Sequence, residues 1–258
     1  MQLGIVGHGF VGKHLEQMFV SSGQRVIVFD KYDPKLCGRS VQSKINDCDL
    51  VFVAVPTPGK EDGACDTSAV EEVVAWVQPP MCLKSTVVPG TTDRLIRTYN
   101  KQLVFSPEYV GETPFHNSKH SFLPDLVALG GDRSVCEAFL KAHQLVLGPQ
   151  PRYFVTDAVT AELAKYMENC FFATKVSFVA QFYLLAAHFG ADFAEMREIW
   201  LADSRVGRSH SAVVDQLGFS GRCLPKDLAA IITEAVRSGG DASFLEGVQK
   251  FNSELRRK

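Results

Sequence analysis

Residues 7–12 read G-H-G-F-V-G, and this glycine pattern lies between an apolar run, Leu3 to Gly7, and a segment of helical periodicity. In that setting Gly7 permits a tight turn, Gly9 lets the backbone approach a pyrophosphate, and Gly12 allows close helix–strand packing. The helix N-terminus then presents unpaired N–H groups and a positive dipole end to phosphates. His8, Phe10 and Val11 complete the cofactor loop, with His8 tolerated there rather than required. The next strand, R-V-I-V-F-D, ends in Asp30, 18 residues after Gly12. An acid there accepts hydrogen bonds from a ribose 2′-hydroxyl and repels a 2′-phosphate, which favours NAD over NADP. Lys31 and Lys35 soften that preference. The plain alternative is a glycine turn in a sheet protein with no ligand.

Apolar, β-branched runs recur at 3–7, 25–30 and 49–55, then near 81–87, 102–106 and 126–130, with a short extended run from Arg152 to Val155. Helical patterns fall between them, near 67–77, 91–100 and 133–145. Ser68 with Glu71 and Ser134 with Glu137 match the S-x-x-E capping box. The alternation predicts an α/β fold, a Rossmann-like doubly wound parallel sheet. From Asp157 to His188 the texture changes to a run without Gly or Pro, rich in Ala, Leu, Phe and Met. One helix of that length would span about 50 Å, and it is apolar on too many sides to stand alone. Gly190 is placed to end it. Helical patterns follow at 192–202, 224–238 and 241–255. The expected organisation is a Rossmann-like domain over 1–155 and an all-helical domain over 156–258, its long central helix covered by a partner chain.

Composition narrows the classes. The formal net charge of −2 gives no global basic field for nucleic acid. Cys37, Cys48, Cys65, Cys82, Cys136, Cys170 and Cys223 form no C-x-x-C pair, so neither a metal site nor a disulfide framework is expected, and free thiols fit a reducing cytosol. The chain opens into a strand pattern rather than a signal peptide. The longest uncharged apolar stretch, 176–191, is shorter than the ~20 residues of a membrane span.

Cys223 sits in G-F-S-G-R-C-L-P-K-D, with Pro225 suited to a first helical turn. A cysteine just before a helix N-terminus, flanked by Arg222 and Lys226, should have a lowered pKa and be a competent nucleophile; the bland alternative is a buried apolar cysteine. Lys165 and Asn169 share one helix face at a spacing of four. With Glu162 and Glu168 nearby they read either as a helix salt bridge with a polar interhelical contact, or as a lysine and an amide polarising a reacting oxygen. Loops at 55–58 (V-P-T-P), 84–90 (K-S-T-V-V-P-G) and 106–112 (S-P-E-Y-V-G-E) follow strands on the side where a doubly wound sheet binds ligands. Glu108 in the last is a candidate general base. His210 reads equally as a pocket residue or a surface-loop residue.

Taken in order, G-H-G-F-V-G, V-F-V-A-V-P-T-P, K-S-T-V-V-P-G-T-T, S-P-E-Y-V-G-E, A-E-L-A-K-Y-M-E-N, S-R-V-G-R-S-H and G-F-S-G-R-C-L-P-K-D resemble the UDP-glucose/GDP-mannose dehydrogenase family along nearly the whole chain. That family oxidises the C6 alcohol of a nucleotide sugar to a carboxylate with two NAD. The resemblance implies that Cys223 captures the aldehyde as a thiohemiacetal, that a second hydride transfer gives a thioester, and that Glu108 assists its hydrolysis. It implies that Lys165 and Asn169 hold the C6 oxygen, that Asp227 and Thr86 organise a water, and that Arg205 reaches substrate across a dimer interface. Asp30, Lys35, Thr57, Ser85, Thr86 and Glu112 match cofactor-side positions, and Tyr109, Val110, His210 and Gly218 substrate-side ones. Ser220 stands where the family usually has glycine, and Arg222 adds bulk beside the thiol. Family members usually continue into a second Rossmann-like domain. The expected protein is a cytoplasmic homodimer acting on a nucleotide sugar, away from nucleic acid and membranes. The rivals are a two-electron dehydrogenase of the 3-hydroxyacid or 6-phosphogluconate type, to which Cys223 would be useless, and a non-catalytic NAD-binding relative.

Overall fold

The computed structural model describes residues 1–109, 124–213 and 216–257. The chain divides into two compact units: Met1–Pro58 with Asp66–Lys165, and Gly59–Cys65 with Tyr166–Lys258.

The first unit is built on a seven-stranded sheet with the order β2-β1-β3-β4-β5-β6-β7. Its strands are β1 (Gln2–Val6), β2 (Arg25–Phe29), β3 (Leu50–Val53), β4 (Met81–Leu83), β5 (Leu103–Phe105), β6 (Leu126–Gly131) and β7 (Arg152–Thr156). Every pairing is parallel except β5–β6. The helices of this unit are α1 (Phe10–Ser21), α2 (Arg39–Asn46), α3 (Ser68–Trp76), α4 (Thr91–Tyr99) and α5 (Arg133–Leu147).

Side chains alternate along each strand, so the sheet is apolar on both faces. Leu3, Ile5, Leu50, Phe52, Cys82 and Val104 pack with Leu15 and Phe19 of α1 and Phe139 of α5. Val6, Val51, Val53, Met81, Leu83, Leu103 and Phe105 turn to the opposite face and pack with Ile45, Val70, Val74 and Leu95. Burying both faces under helices is the doubly wound α/β architecture that the strand–helix alternation predicts. Strands β2 and β3 flank β1 on opposite sides, so the chain reverses its winding at β1 and leaves a ligand crevice at the strand C-termini.

Both expected capping boxes shift. Asp132, not Ser134, caps α5, its carboxylate accepting from the N–H groups of Ser134 and Val135. Thr67 precedes α3, and its hydroxyl donates to Glu71. An aspartate at the cap position outcompetes the serine two residues on because its charge also favours the helix dipole. Helix α2 was not expected; it is mostly polar and buries only Ile45, too little apolar periodicity to be read from sequence.

Helix α6 (Ala158–Phe189) runs for 32 residues. By length and composition it meets the measure of a membrane span, a measure that the core helix of a soluble protein also meets, and 39% of its most apolar window is buried. In the second unit, α6 is accompanied by α7 (Phe193–Leu201), α8 (Leu224–Arg237) and α9 (Ser243–Leu255). Cys170 and Ala173 of α6 pack with Phe219, Leu228, Ile232 and Val248 to form its core.

Candidate active site

The glycine loop emerges from β1, and Gly7 donates its N–H to the Phe29 carbonyl at 2.8 Å. Gly7 has φ +96, and a Cβ on Gly12 would lie 1.9 Å from the Gly7 carbonyl oxygen, so both glycines are compulsory. A Cβ on Gly9 would meet nothing within 4 Å. Protein packing explains two of the three glycines, and the third opens onto space where a pyrophosphate would approach the N-terminus of α1. The residues present therefore fit a dinucleotide. Phe10 and Val11 form the first turn of α1, with Phe10 exposed.

Asp30 ties this loop together: one carboxylate oxygen accepts from the His8 N–H at 2.7 Å and the other from the Tyr32 N–H at 2.8 Å. An ionised carboxylate has about four lone-pair sites, so acceptor capacity for a ribose hydroxyl is retained. His8 does more than the sequence reading allowed, its Nε2 lying 2.7 Å from Glu16. Lys35 is exposed in the turn after β2, its N–H bonded to Asp33.

Beyond β3 and β4, Thr57 is buried and donates to the Thr86 carbonyl at 2.7 Å, while Ser85 donates to the Val55 carbonyl at 2.7 Å. These bonds splice two of the expected ligand loops. The third, 106–109, holds Glu108, whose Oε1 accepts from the Tyr109 N–H at 2.9 Å. Lys165, in the N-terminal part of α6, places its ammonium 5.1 Å from the centroid of the Tyr109 ring. Val110 and Glu112 lie outside the described residues.

The structure shows Glu162, offered as a salt-bridge partner of Lys165, in another role. It is fully buried and accepts from the N–H groups of Gly90 and Thr92 and the Thr92 hydroxyl, capping α4 from a distance. Burial raises its carboxyl above the usual range, opposed by those bonds. The sequence reading also passed over Lys84, His14 and His143, which line a narrow cavity with Glu108 and Tyr109. A charged residue directly after an apolar strand, M-C-L-K-S, was the available signal for Lys84.

In the second unit, Cys223 is exposed at the cap position of α8, with Pro225 in the first turn. Asp227, one turn along, is buried; Asn169 donates to its Oδ2 at 2.5 Å, and Lys226 pairs with its other oxygen. Arg205 is exposed and forked onto Asp203. His210 has φ +57 and stacks on Phe172 with 3.9 Å between ring centroids. The segment bearing both is anchored by Lys175, which donates to the carbonyls of Val206 and Gly207, and by Arg197, which donates to Ser211. Gly218 lies against Asn252, whose side chain bonds both the N–H and the carbonyl of Phe219.

Residues 34–143 match the UDP-glucose/GDP-mannose dehydrogenase family, NAD binding domain, and residues 159–254 match the central domain of the same family. A putative UDP-glucose 6-dehydrogenase of Bacillus subtilis is 28% identical over 98% of this chain and 67% of its own length. A UDP-glucose 6-dehydrogenase of Rickettsia typhi is 32% identical over 79% of this chain and 49% of its own. The solved UDP-glucose dehydrogenase of Pyrobaculum islandicum superposes with a TM-score of 0.85 at 26% identity, covering 98% of this chain and 68% of that one. The chain thus spans from about half to about two thirds of the length of these relatives. All of helix α6 but its first residue falls within the central-domain match. With the glycine loop, the Asp30 acceptor and the Cys223 motif all in the family's order, the chain belongs to the UDP-glucose/GDP-mannose dehydrogenase family, whose NAD binding and central domains it carries.

Proposed function

We propose that this protein oxidises the C6 alcohol of a nucleotide sugar such as a UDP-hexose to the uronic acid, with residues 1–155 binding NAD and residues 156–258 carrying the nucleophile. The observation that carries the reading is the head of α8: an exposed Cys223 at its N-terminus, one turn from a buried Asp227 bonded to Asn169. A two-electron dehydrogenase has no use for a thiol there, whereas taking an aldehyde to an acid needs a covalent or hydrated intermediate.

NAD, when bound, accepts the hydride at each of two oxidations. Lys165 and Asn169 hold the C6 oxygen as the alcohol loses its proton and hydride to become an aldehyde. The Cys223 thiolate, favoured at a helix N-terminus, adds to the aldehyde carbon and gives a thiohemiacetal. Loss of a second hydride and the hydroxyl proton leaves a thioester. Water, oriented by Asp227 and Thr86 and deprotonated by Glu108, attacks the acyl carbon; the C–S bond breaks, releasing carboxylate and thiolate. Ser220 and Arg222 beside the thiol bear on which sugar fits.

The same reading makes the protein a homodimer. On the second unit, Met167, Phe171, Phe178, Phe182 and Phe189 are exposed at helical spacing along one stripe of α6, the kind of apolar face that a second copy would cover. Arg205 would then reach a substrate of the partner protomer.

The decisive test counts NADH formed per sugar consumed, with UDP-glucose and a panel of nucleotide sugars, for the wild type and Cys223→Ser. Two NADH per sugar, lost in the variant, is the expected result. One NADH with the variant unaffected would replace the reading with a hydroxyacid-type dehydrogenase; NAD binding without turnover would point to a non-catalytic relative. Sedimentation of Met167→Lys/Phe171→Lys against the wild type tests the dimer, the expected change being a halving of mass.

A further inference from the structure

Lys84 follows β4 and is buried, with 7% of its surface exposed. Its Nζ donates to the Ser106 hydroxyl at 3.2 Å and the Pro107 carbonyl at 3.3 Å, and lies 3.3 Å from Glu108 Oε2. The three N–H donors of one ammonium thus meet three consecutive residues of the next strand's exit loop. The second Glu108 oxygen accepts from the Tyr109 N–H, so both carboxylate oxygens are held.

Other titratable groups lie around Glu108. His143, from α5, is pushed down to about 4 by burial and then by Lys84. His14, from α1, is lowered by burial, with Glu108 raising it and Lys84 lowering it. Burial pushes the Cys82 thiol on β4 up to about 12. Lys165, from α6, faces the neighbouring Tyr109 ring. Lys84 is in direct contact with the carboxylate.

We propose that Lys84 is a positioning residue that aims the Glu108 carboxylate and keeps it ionised, so that it is ready to take a proton; the catalytic part of this inference rests on Glu108 being the base of the hydrolysis described above. Taking the ammonium away removes a contacting positive charge from a partly buried carboxylate, which favours its protonated form, and a base that is already protonated cannot activate water.

The first arm of the test needs no turnover, so it stands or falls apart from the functional reading. Glu108 is titrated by carbon NMR in protein labelled at glutamate Cδ, its signal assigned by its disappearance in Glu108→Gln. The wild type is compared with Lys84→Met and with Lys84→Arg, which keeps the charge. The expected result is a Glu108 midpoint about one unit higher or more in Lys84→Met, a roughly tenfold gain in proton affinity, and a smaller change in Lys84→Arg. Equal midpoints in the wild type and Lys84→Met overturn the proposal. Lys84→Gln replaces Lys84→Met if circular dichroism shows that the latter is unfolded. In the second arm, the acid limb of the kcat profile moves to higher pH in Lys84→Met. A loss of kcat that is uniform from pH 6 to 9 would mean a merely structural lysine and overturn the charge role.

Discussion

Asn169 on α6 donates its side-chain amide to Asp227 on α8 across 2.5 Å, and both side chains are buried. The bond joins the two helices that carry the second unit's core, one turn from Cys223. Asp227 receives its remaining support from Lys226, so its carboxylate is satisfied only while both partners are in place.

Removing one partner leaves part of a buried charge unpaired. Asn169→Ala should lower unfolding free energy by about 2–4 kcal/mol, read from urea denaturation at pH 7. A loss below about 1 kcal/mol would mean that this bond does not hold the helices.

Glu162 carries a pH signature. Its carboxyl lies above the usual 4.5 because it is buried, so the native state keeps a proton that the unfolded chain has released. Stability from this group is greatest below 4.5, falls as pH rises through the raised value, and is level above it. Glu162→Gln has no proton to lose and should flatten that part of the curve. Urea midpoints that fall as steeply in the variant as in the wild type when pH rises above 4.5 would rule this out.

His143 has the opposite sign. It is buried, its Nδ1 lying 2.8 Å from the Phe139 carbonyl, and its pKa falls from the usual 6.5 to about 4. The unfolded chain therefore takes up a proton first on acidification. The contribution is complete above 6.5 and is lost as pH falls through about 4, a change of about 3 kcal/mol. His143→Gln should lose correspondingly less stability across that window. Parallel wild-type and variant curves would show that His143 titrates normally.

The glycine loop separates packing from ligand contact. Gly12→Ala should destabilise the fold, because its Cβ would sit 1.9 Å from a carbonyl oxygen. Gly9→Ala meets nothing within 4 Å and should melt with the wild type, yet bind NAD more weakly by about tenfold or more, on the order of 1.4 kcal/mol. Calorimetric titration reads the affinity. Unchanged binding in Gly9→Ala would mean that the backbone at Gly9 does not approach the cofactor.

Much of this was legible in the sequence because it is local. The β-branched runs give the strands, their near-continuous apolarity gives a sheet covered on both faces, and the glycine spacing gives the cofactor turn. The 32 residues of α6 follow from an unbroken run without Gly or Pro. Helix α2 escaped because a single buried isoleucine makes no period. The cap of α5 was misplaced because serine and aspartate compete for one geometric position and only the backbone angles decide.

What only the tertiary structure decided is which charged groups meet. Lys84 and Glu108 are 24 residues apart, and Glu162 and Thr92 are 70 apart. Asn169 and Asp227 are separated by 58. Sequence periodicity records which side of an element is apolar, and so determined the sheet, the long helix and the loop that receives the cofactor. It does not record the register of one strand exit against the next, the antiparallel entry of β6, or the approach of α6 to α4 and α8. Those depend on side-chain packing across elements. In a buried setting an ion or hydrogen bond is strong only at contact distance, so packing alone turned Lys84, Glu162 and Asn169 from surface-type residues into structural partners.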